Sequence, residues 1–170
     1  MQLKQLFART LAVGFVATVG LAGVAQATPV KGDVVSIPAL TLIDGQHKPE
    51  GYYDGKPVII QYWASWCPFC ARQNPYLQRL SENAQGTDLE VLSISIDRQE
   101  ADARQYLQDK HYTFPAAMET PELIETFGKR RVIPEIFVIT SEGKIAEVIP
   151  GEMFEEDVLE LIKYASDTKQ

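Results

Sequence analysis

Two hydrophobic periods alternate along this chain. Residues 57–63 (PVIIQYW) run almost unbroken through β-branched, aliphatic and aromatic side chains, the pattern of a strand covered on both faces, and this strand is expected at the centre of a sheet. From 67 to about 83, Leu77 and Leu80 recur among polar neighbours, which predicts a helix ending near Gly86. Residues 89–96 (LEVLSISI) predict a second strand, and 100–110 a surface helix with Ala103 and Leu107 four apart. A short helix over 121–127 is marked by Thr120 as N-cap, Pro121 at its first position and Gly128 as its stop. Residues 136–140 and 145–149, joined by Ser141-Glu142-Gly143-Lys144, form a hairpin pattern. An amphipathic helix over 153–164 closes the chain, with Phe154, Val158, Leu161 and Ile162 expected to face inward. Upstream, 37–42 reads as a short strand in which Pro38 marks an edge or a start, Asp44-Gly45 and Asp54-Gly55 are turns, and 28–33 is expected to be a flexible arm. This order predicts one α/β domain over 28–170, a central mixed β-sheet with a right-handed parallel crossover, flanked by helices on both faces.

The first 27 residues follow a different logic. Lys4 and Arg9 precede an apolar run over 11–25, interrupted by Gly14, Gly20 and Gly23, and the segment closes on Ala25-Gln26-Ala27. This is the layout of a secretory signal peptide cleaved after Ala27, which predicts a periplasmic protein. The competing reading, an uncleaved anchor, wants about 18 or more consecutive apolar residues, and this run is shorter and carries three glycines.

Composition narrows the function. The chain is 45% apolar and 23% charged, as ordinary globular proteins are, and 16 Lys and Arg face 23 Asp and Glu for a net charge of -7. Such an acidic balance argues against a phosphate-binding surface, so nucleic acid is not expected as a partner. Cys67 and Cys70 are the only two cysteines. They are too few for a stapled mini-domain, and a ring closed over so few residues would restrict little chain entropy. The pair therefore points to chemistry.

Trp66-Cys67-Pro68-Phe69-Cys70 lies at the junction of the predicted central strand and the following helix. Sulfurs three positions apart on a first helical turn share one face, close enough to form a disulfide. Cys67, at the helix N-terminus, meets free N–H groups and the positive end of the dipole, which hold its thiol below the free value of about 8.5; it is the expected nucleophile. Cys70, one turn inside, is shielded and suits the resolving thiol. Haem attachment would need His at position 71, which is Ala, and a structural zinc site would need more ligands than the distant His47 and His111 supply. No cofactor and no metal are expected, although a soft-metal module holding copper(I) or zinc on both thiolates stands as a non-enzymatic alternative.

The segment Tyr62-Trp63-Ala64-Ser65-Trp66-Cys67-Pro68-Phe69-Cys70 resembles the active-site segment of thioredoxin-fold proteins. Pro75 matches that family's helix-kinking proline, Ile133-Pro134 its cis-proline loop, and Ser141-Glu142-Gly143-Lys144 its hairpin. With the signal segment and the start over 38–45, residues 34–164 resemble exported TlpA/ResA-like thiol:disulfide oxidoreductases. The resemblance implies a thioredoxin-like fold and a cis bond at Pro134. It also implies a backbone edge at Ile133 and Pro134 opposite Cys67 for an extended substrate, with Trp66 on the rim. It further implies exported thiol or disulfide proteins as clients and a membrane thiol-disulfide electron donor. Two positions depart from the family pattern. Where carboxylates near the buried cysteine would be expected stand Gln61 and Gln73, neither of which is a base, leaving water or a carboxylate elsewhere; Glu135 is the candidate proton acceptor. Phe69 offers no hydrogen-bond donor to a Cys67 thiolate, and this argues against the alternative of a strong DsbA-like oxidant. Lys129, Arg130 and Arg131 precede the Pro134 loop, either as a source of positive potential there or as a solvated run.

Overall fold

The computed structural model describes residues 28–165; the predicted signal segment, 1–27, lies outside them. Every residue of the apolar run is buried, all but Pro57 within one strand, and that strand takes the middle of the sheet. In chain order the strands are β1 (Leu40–Thr41), β2 (His47–Lys48), β3 (Val58–Trp63), β4 (Glu90–Ser95), β5 (Ala116–Met118), β6 (Glu135–Ile139) and β7 (Ile145–Pro150). The main sheet has the order β5-β4-β3-β6-β7: β3, β4 and β5 run parallel, while β6 is antiparallel to both β3 and β7. The helices are α1 (Pro68–Asn83), α2 (Glu100–Asp109), α3 (Pro121–Phe127) and α4 (Glu155–Glu160), the last running into a 3-10 turn over Leu161–Tyr164.

Strand alternation divides β3 between two cores. Ile59 and Trp63 pack with Leu77 and Leu80 of α1, Ala103 and Leu107 of α2, and Val158 and Leu161 at the C-terminus. Val58, Ile60 and Tyr62 face the other way, toward Leu123 and Phe127 of α3 and toward Ile37, Leu40 and Tyr53 of the N-terminal segment. Helices therefore cover both faces, and the junction from β3 into α1 emerges at the carboxyl end of the central strand, where open α/β sheets place their ligands.

Four local expectations are corrected. The strand predicted over 37–42 shrinks to β1, paired with β2 around Asp44-Gly45, because the chain then turns to the sheet edge: Leu42 bridges Ala117, and the Ile43 N–H donates to the Ala116 carbonyl at 2.7 Å. The strand β5 itself is three residues long, too short for its period to show. The arm over 28–33 is docked, with the Gly32 N–H on the Ile145 carbonyl and the Ile145 N–H on the Asp33 carbonyl, both at 2.8 Å. The closing helix begins at Glu155 rather than 153, and Phe154, expected inside, is 79% exposed as its N-cap. The Met153 N–H is diverted instead into the protein, toward Gln73.

Candidate active site

Cys67 is the N-cap of α1, with extended backbone (φ -88°, ψ 113°), and Pro68 occupies the first turn, where its missing N–H is not needed. Cys67 Sγ accepts the Cys70 N–H at 3.1 Å, so the sulfur stands where a capping oxygen normally satisfies the helix end. The two cysteines form a disulfide with their Cα atoms 5.2 Å apart. Both are buried, Cys70 completely.

The turn ahead of Cys67 is fixed by a residue that sequence reasoning missed. Asp97, just past β4, accepts the Ser65 N–H at 3.0 Å, the Ser65 hydroxyl at 2.8 Å and the Ser95 hydroxyl at 2.7 Å. It is buried, and all three bonds go to the strand ends that flank the site. Only the register of β3 against β4, Trp63 opposite Ser95, brings these segments together.

Opposite the sulfurs, the Ile133-Pro134 bond is cis and the Ile133 carbonyl oxygen lies 3.8 Å from Cys67 Sγ. The Pro134 carbonyl accepts the Gly151 N–H at 2.8 Å, whereas the Ile133 N–H has no partner among the described residues. Trp66 and Phe69, which flank Cys67 in the chain, are 65% and 52% exposed, and Val132, next to Ile133, is exposed as well. Arg72 lies over the Phe69 ring, 4.8 Å from its centroid, and is held there by two 2.6 Å bonds to Glu152. Thus Cys67, Cys70, Trp66, Ile133 and Pro134 come together.

Glu135 does not join them. It sits opposite Tyr62 in the β3–β6 register, so its side chain leaves the sheet on the face away from α1 and pairs with Arg130. The expected approach of its carboxylate to Cys70 is corrected on that ground: adjacency to Pro134 in sequence is outweighed by strand alternation. Of the basic run, Lys129 and Arg131 are exposed but Arg130 is buried against Glu135, so the run is neither wholly solvated nor wholly available to the loop.

Beneath the cysteines lies a chain of buried amides. The Met153 N–H donates to Gln73 Oε1 at 2.7 Å, Gln73 Nε2 to Gln61 Oε1 at 2.9 Å, Gln61 Nε2 to Asn74 Oδ1 at 2.8 Å, and Asn74 Nδ2 to the Tyr106 hydroxyl at 3.4 Å. Gln61, Gln73 and Asn74 are fully buried. Each link is neutral, so the space below Cys70 is satisfied by polar groups without a charge. On the opposite face, burial pushes the Tyr62 hydroxyl well above its ordinary range, and desolvation raises Glu119 against the pull of Arg130 and Lys129. Among the described residues no group of three or more His, Cys, Asp or Glu is placed to hold a metal ion.

A profile of the AhpC/TSA family matches residues 33–148, most of the chain. The chain belongs to the AhpC/TSA family. This AhpC/TSA protein is 27% identical over 127 residues to the thiol-disulfide oxidoreductase ResA of Geobacillus thermodenitrificans, a match covering 73% of each chain. Among solved structures it is similar to a thiol:disulfide interchange protein of the thioredoxin family from Chlorobium tepidum, with a TM-score of 0.71, 26% identity, and coverage of 82% of this chain and 99% of that one. It also shares its fold with a secreted Mycobacterium tuberculosis disulfide oxidoreductase homologous to E. coli DsbE, with a TM-score of 0.64, 15% identity, and coverage of 74% and 93%. Together with the disulfide, these findings make the AhpC/TSA protein a ResA/TlpA-like thiol-disulfide oxidoreductase of thioredoxin-like fold, with Cys67 and Cys70 as its redox pair.

Proposed function

We propose that the protein acts outside the cytoplasm as a reductant of disulfides in exported proteins. The Cys67 thiolate attacks one sulfur of a client disulfide, forming a mixed disulfide and releasing the other client sulfur as a thiolate. That thiolate takes the proton of Cys70, whose sulfur then attacks Cys67 Sγ, closes the Cys67–Cys70 disulfide and expels the second client sulfur. Two electrons pass to the client, and a membrane thiol-disulfide donor restores the dithiol. Client thiolate is assigned the base role because the groups beneath Cys70 are neutral amides. An extended client chain pairs with the Ile133 backbone beside Cys67, with Trp66 and Phe69 covering its apolar side chains.

The observation that carries this reading is the asymmetry of the two sulfurs. Cys67 Sγ takes the capping position at the helix end and faces the Ile133 carbonyl, while Cys70 is enclosed. The reducing direction is supported by how little else stabilises the thiolate: Phe69 carries no donor, and Arg72 and Arg130 are committed to Glu152 and Glu135. The exported location is supported by the signal pattern over 1–27 and by the secreted relative. The test is trapping. Cys70→Ser is expected to accumulate mixed disulfides with clients, and Cys67→Ser to accumulate none; the reverse pattern would contradict the roles.

A further inference from the structure

The loop over 128–134 is held from within by one side chain. The side chain of Arg130 is 2% exposed, and a charge so buried persists only when it is paired and hydrogen-bonded. Its guanidinium donates to the Glu135 carboxylate, to the Phe127 carbonyl and, at 2.7 Å, to the Gly128 carbonyl. It also lies over the Tyr62 and Phe137 rings, 4.4 and 4.8 Å from their centroids. These acceptors mark the two ends of the loop. Phe127 and Gly128 close α3, whose last carbonyls have no partner within the helix, and Glu135 opens β6, two residues after Ile133. Neither Arg130 nor Glu135 approaches the sulfurs, because both project on the far side of the sheet from α1.

We propose that Arg130, with Glu135 as its counter-ion, is a positioning residue for client binding: it fixes the span from α3 to β6 so that the Ile133 backbone is presented beside Cys67, and it sets the affinity for extended polypeptide disulfides without touching the sulfur chemistry. The inference rests on the edge-pairing reading given above. A lysine keeps the charge but lacks the planar fork that reaches separate acceptors at once, so the two residues are not equivalent here.

The test compares Arg130→Lys and Arg130→Met on two substrates, a cystine-bridged extended peptide and 5,5′-dithiobis(2-nitrobenzoate), which has no peptide backbone. The expected result is a rise in KM for the peptide of about tenfold for Lys and more for Met, with kcat and the rate on the aromatic disulfide held within about twofold, the pattern of lost uniform binding. Should Arg130→Met not fold, Arg130→Lys decides alone. Equal losses on both substrates would make Arg130 a general structural element and overturn the proposal. A control on the unmodified protein uses the same peptide with N-methyl groups on the backbone flanking the attacked cysteine. If methylation weakens binding while both Arg130 variants keep the original KM, the edge stands and the proposal falls; if methylation changes nothing, the edge reading falls and the proposal with it.

Discussion

Replacing Gln73 by Glu probes the buried amide chain directly. Gln73 accepts from the Met153 N–H at 2.7 Å and donates to Gln61 Oε1 at 2.9 Å, in a position without solvent contact. A protonated carboxyl there accepts from Met153 and donates its O–H to Gln61, so both bonds survive in acid. An ionised carboxylate keeps the first and sets an acceptor against an acceptor at the second, unless the Gln61 and Asn74 amides turn over and the Tyr106 hydroxyl becomes the donor at the far end. It must also leave water, which raises the pKa of the introduced group above the ordinary value of about 4.3. Because the folded pKa is the higher one, the folded chain holds a proton that the unfolded chain has released, and stability falls as pH rises between the two values, by about 1.4 kcal/mol per unit. With a shift of roughly two to three units, within the range documented for fully buried carboxyls, Gln73→Glu costs close to nothing at pH 4 and about 2.5–3.5 kcal/mol at pH 7. Urea denaturation of the oxidised protein at pH 4, 5, 6 and 7 reads this difference against the unmodified chain. A ΔΔG that stays constant across the four pH values would refute both the burial and the hydrogen-bond chain. Residue 73 is also one helical turn from Cys70, about 5–6 Å between Cβ atoms, so above its pKa the introduced carboxylate should speed resolution of the mixed disulfide by about tenfold or more.

Other perturbations have equally definite outcomes. Glu119 has one carboxylate oxygen buried without a partner, and desolvation raises its pKa; the folded state thus favours the neutral acid, and stability is lost as pH climbs through the raised value. Glu119→Gln should raise Tm at pH 7, by an equivalent of less than about 1 kcal/mol because the residue is only partly buried, and leave it unchanged at pH 4. Asp97→Ala removes the acceptor of three hydrogen bonds and strands the Ser65 N–H, which should cost about 2–4 kcal/mol in urea midpoints and slow alkylation of reduced Cys67. Arg72→Ala breaks an exposed pair with Glu152 and should leave the urea midpoint essentially unchanged, measurable by the same titration.

The parts of the molecule that the sequence foretells share a property: their signal is local. An uninterrupted apolar run marks β3, a capping Thr120 with Pro121 and Gly128 marks α3, and two cysteines at a strand-to-helix junction mark the redox pair. What it conceals depends on partners distant in the chain. Glu135 follows Pro134 directly, yet its destination is decided by its register against Tyr62 and by Arg130, which no spacing rule reveals. Asp97 becomes the anchor of the Cys67 turn only because β3 and β4 pair in parallel. Phe154 has the helical spacing of a core residue, but the helix starts one residue later, after Met153 is drawn to Gln73, and leaves the ring in solvent. The glutamines at 61 and 73 are visible as departures from the family pattern; that they join Asn74 and Tyr106 in one continuous chain is a fact of packing.

The central claim, a dithiol at Cys67 and Cys70 that gives electrons to clients, is tested most directly by equilibrating the protein against glutathione buffers and reading the fraction oxidised. Thiolate stabilisation by the helix terminus, with no donor at Phe69 and with Arg72 and Arg130 each paired to a carboxylate, predicts a reduction potential on the thioredoxin side of the scale, below about -200 mV, where 30 mV corresponds to about 1.4 kcal/mol for this two-electron couple. A potential near -120 mV, that of the strong oxidant DsbA, would contradict the account and reverse the direction of the reaction.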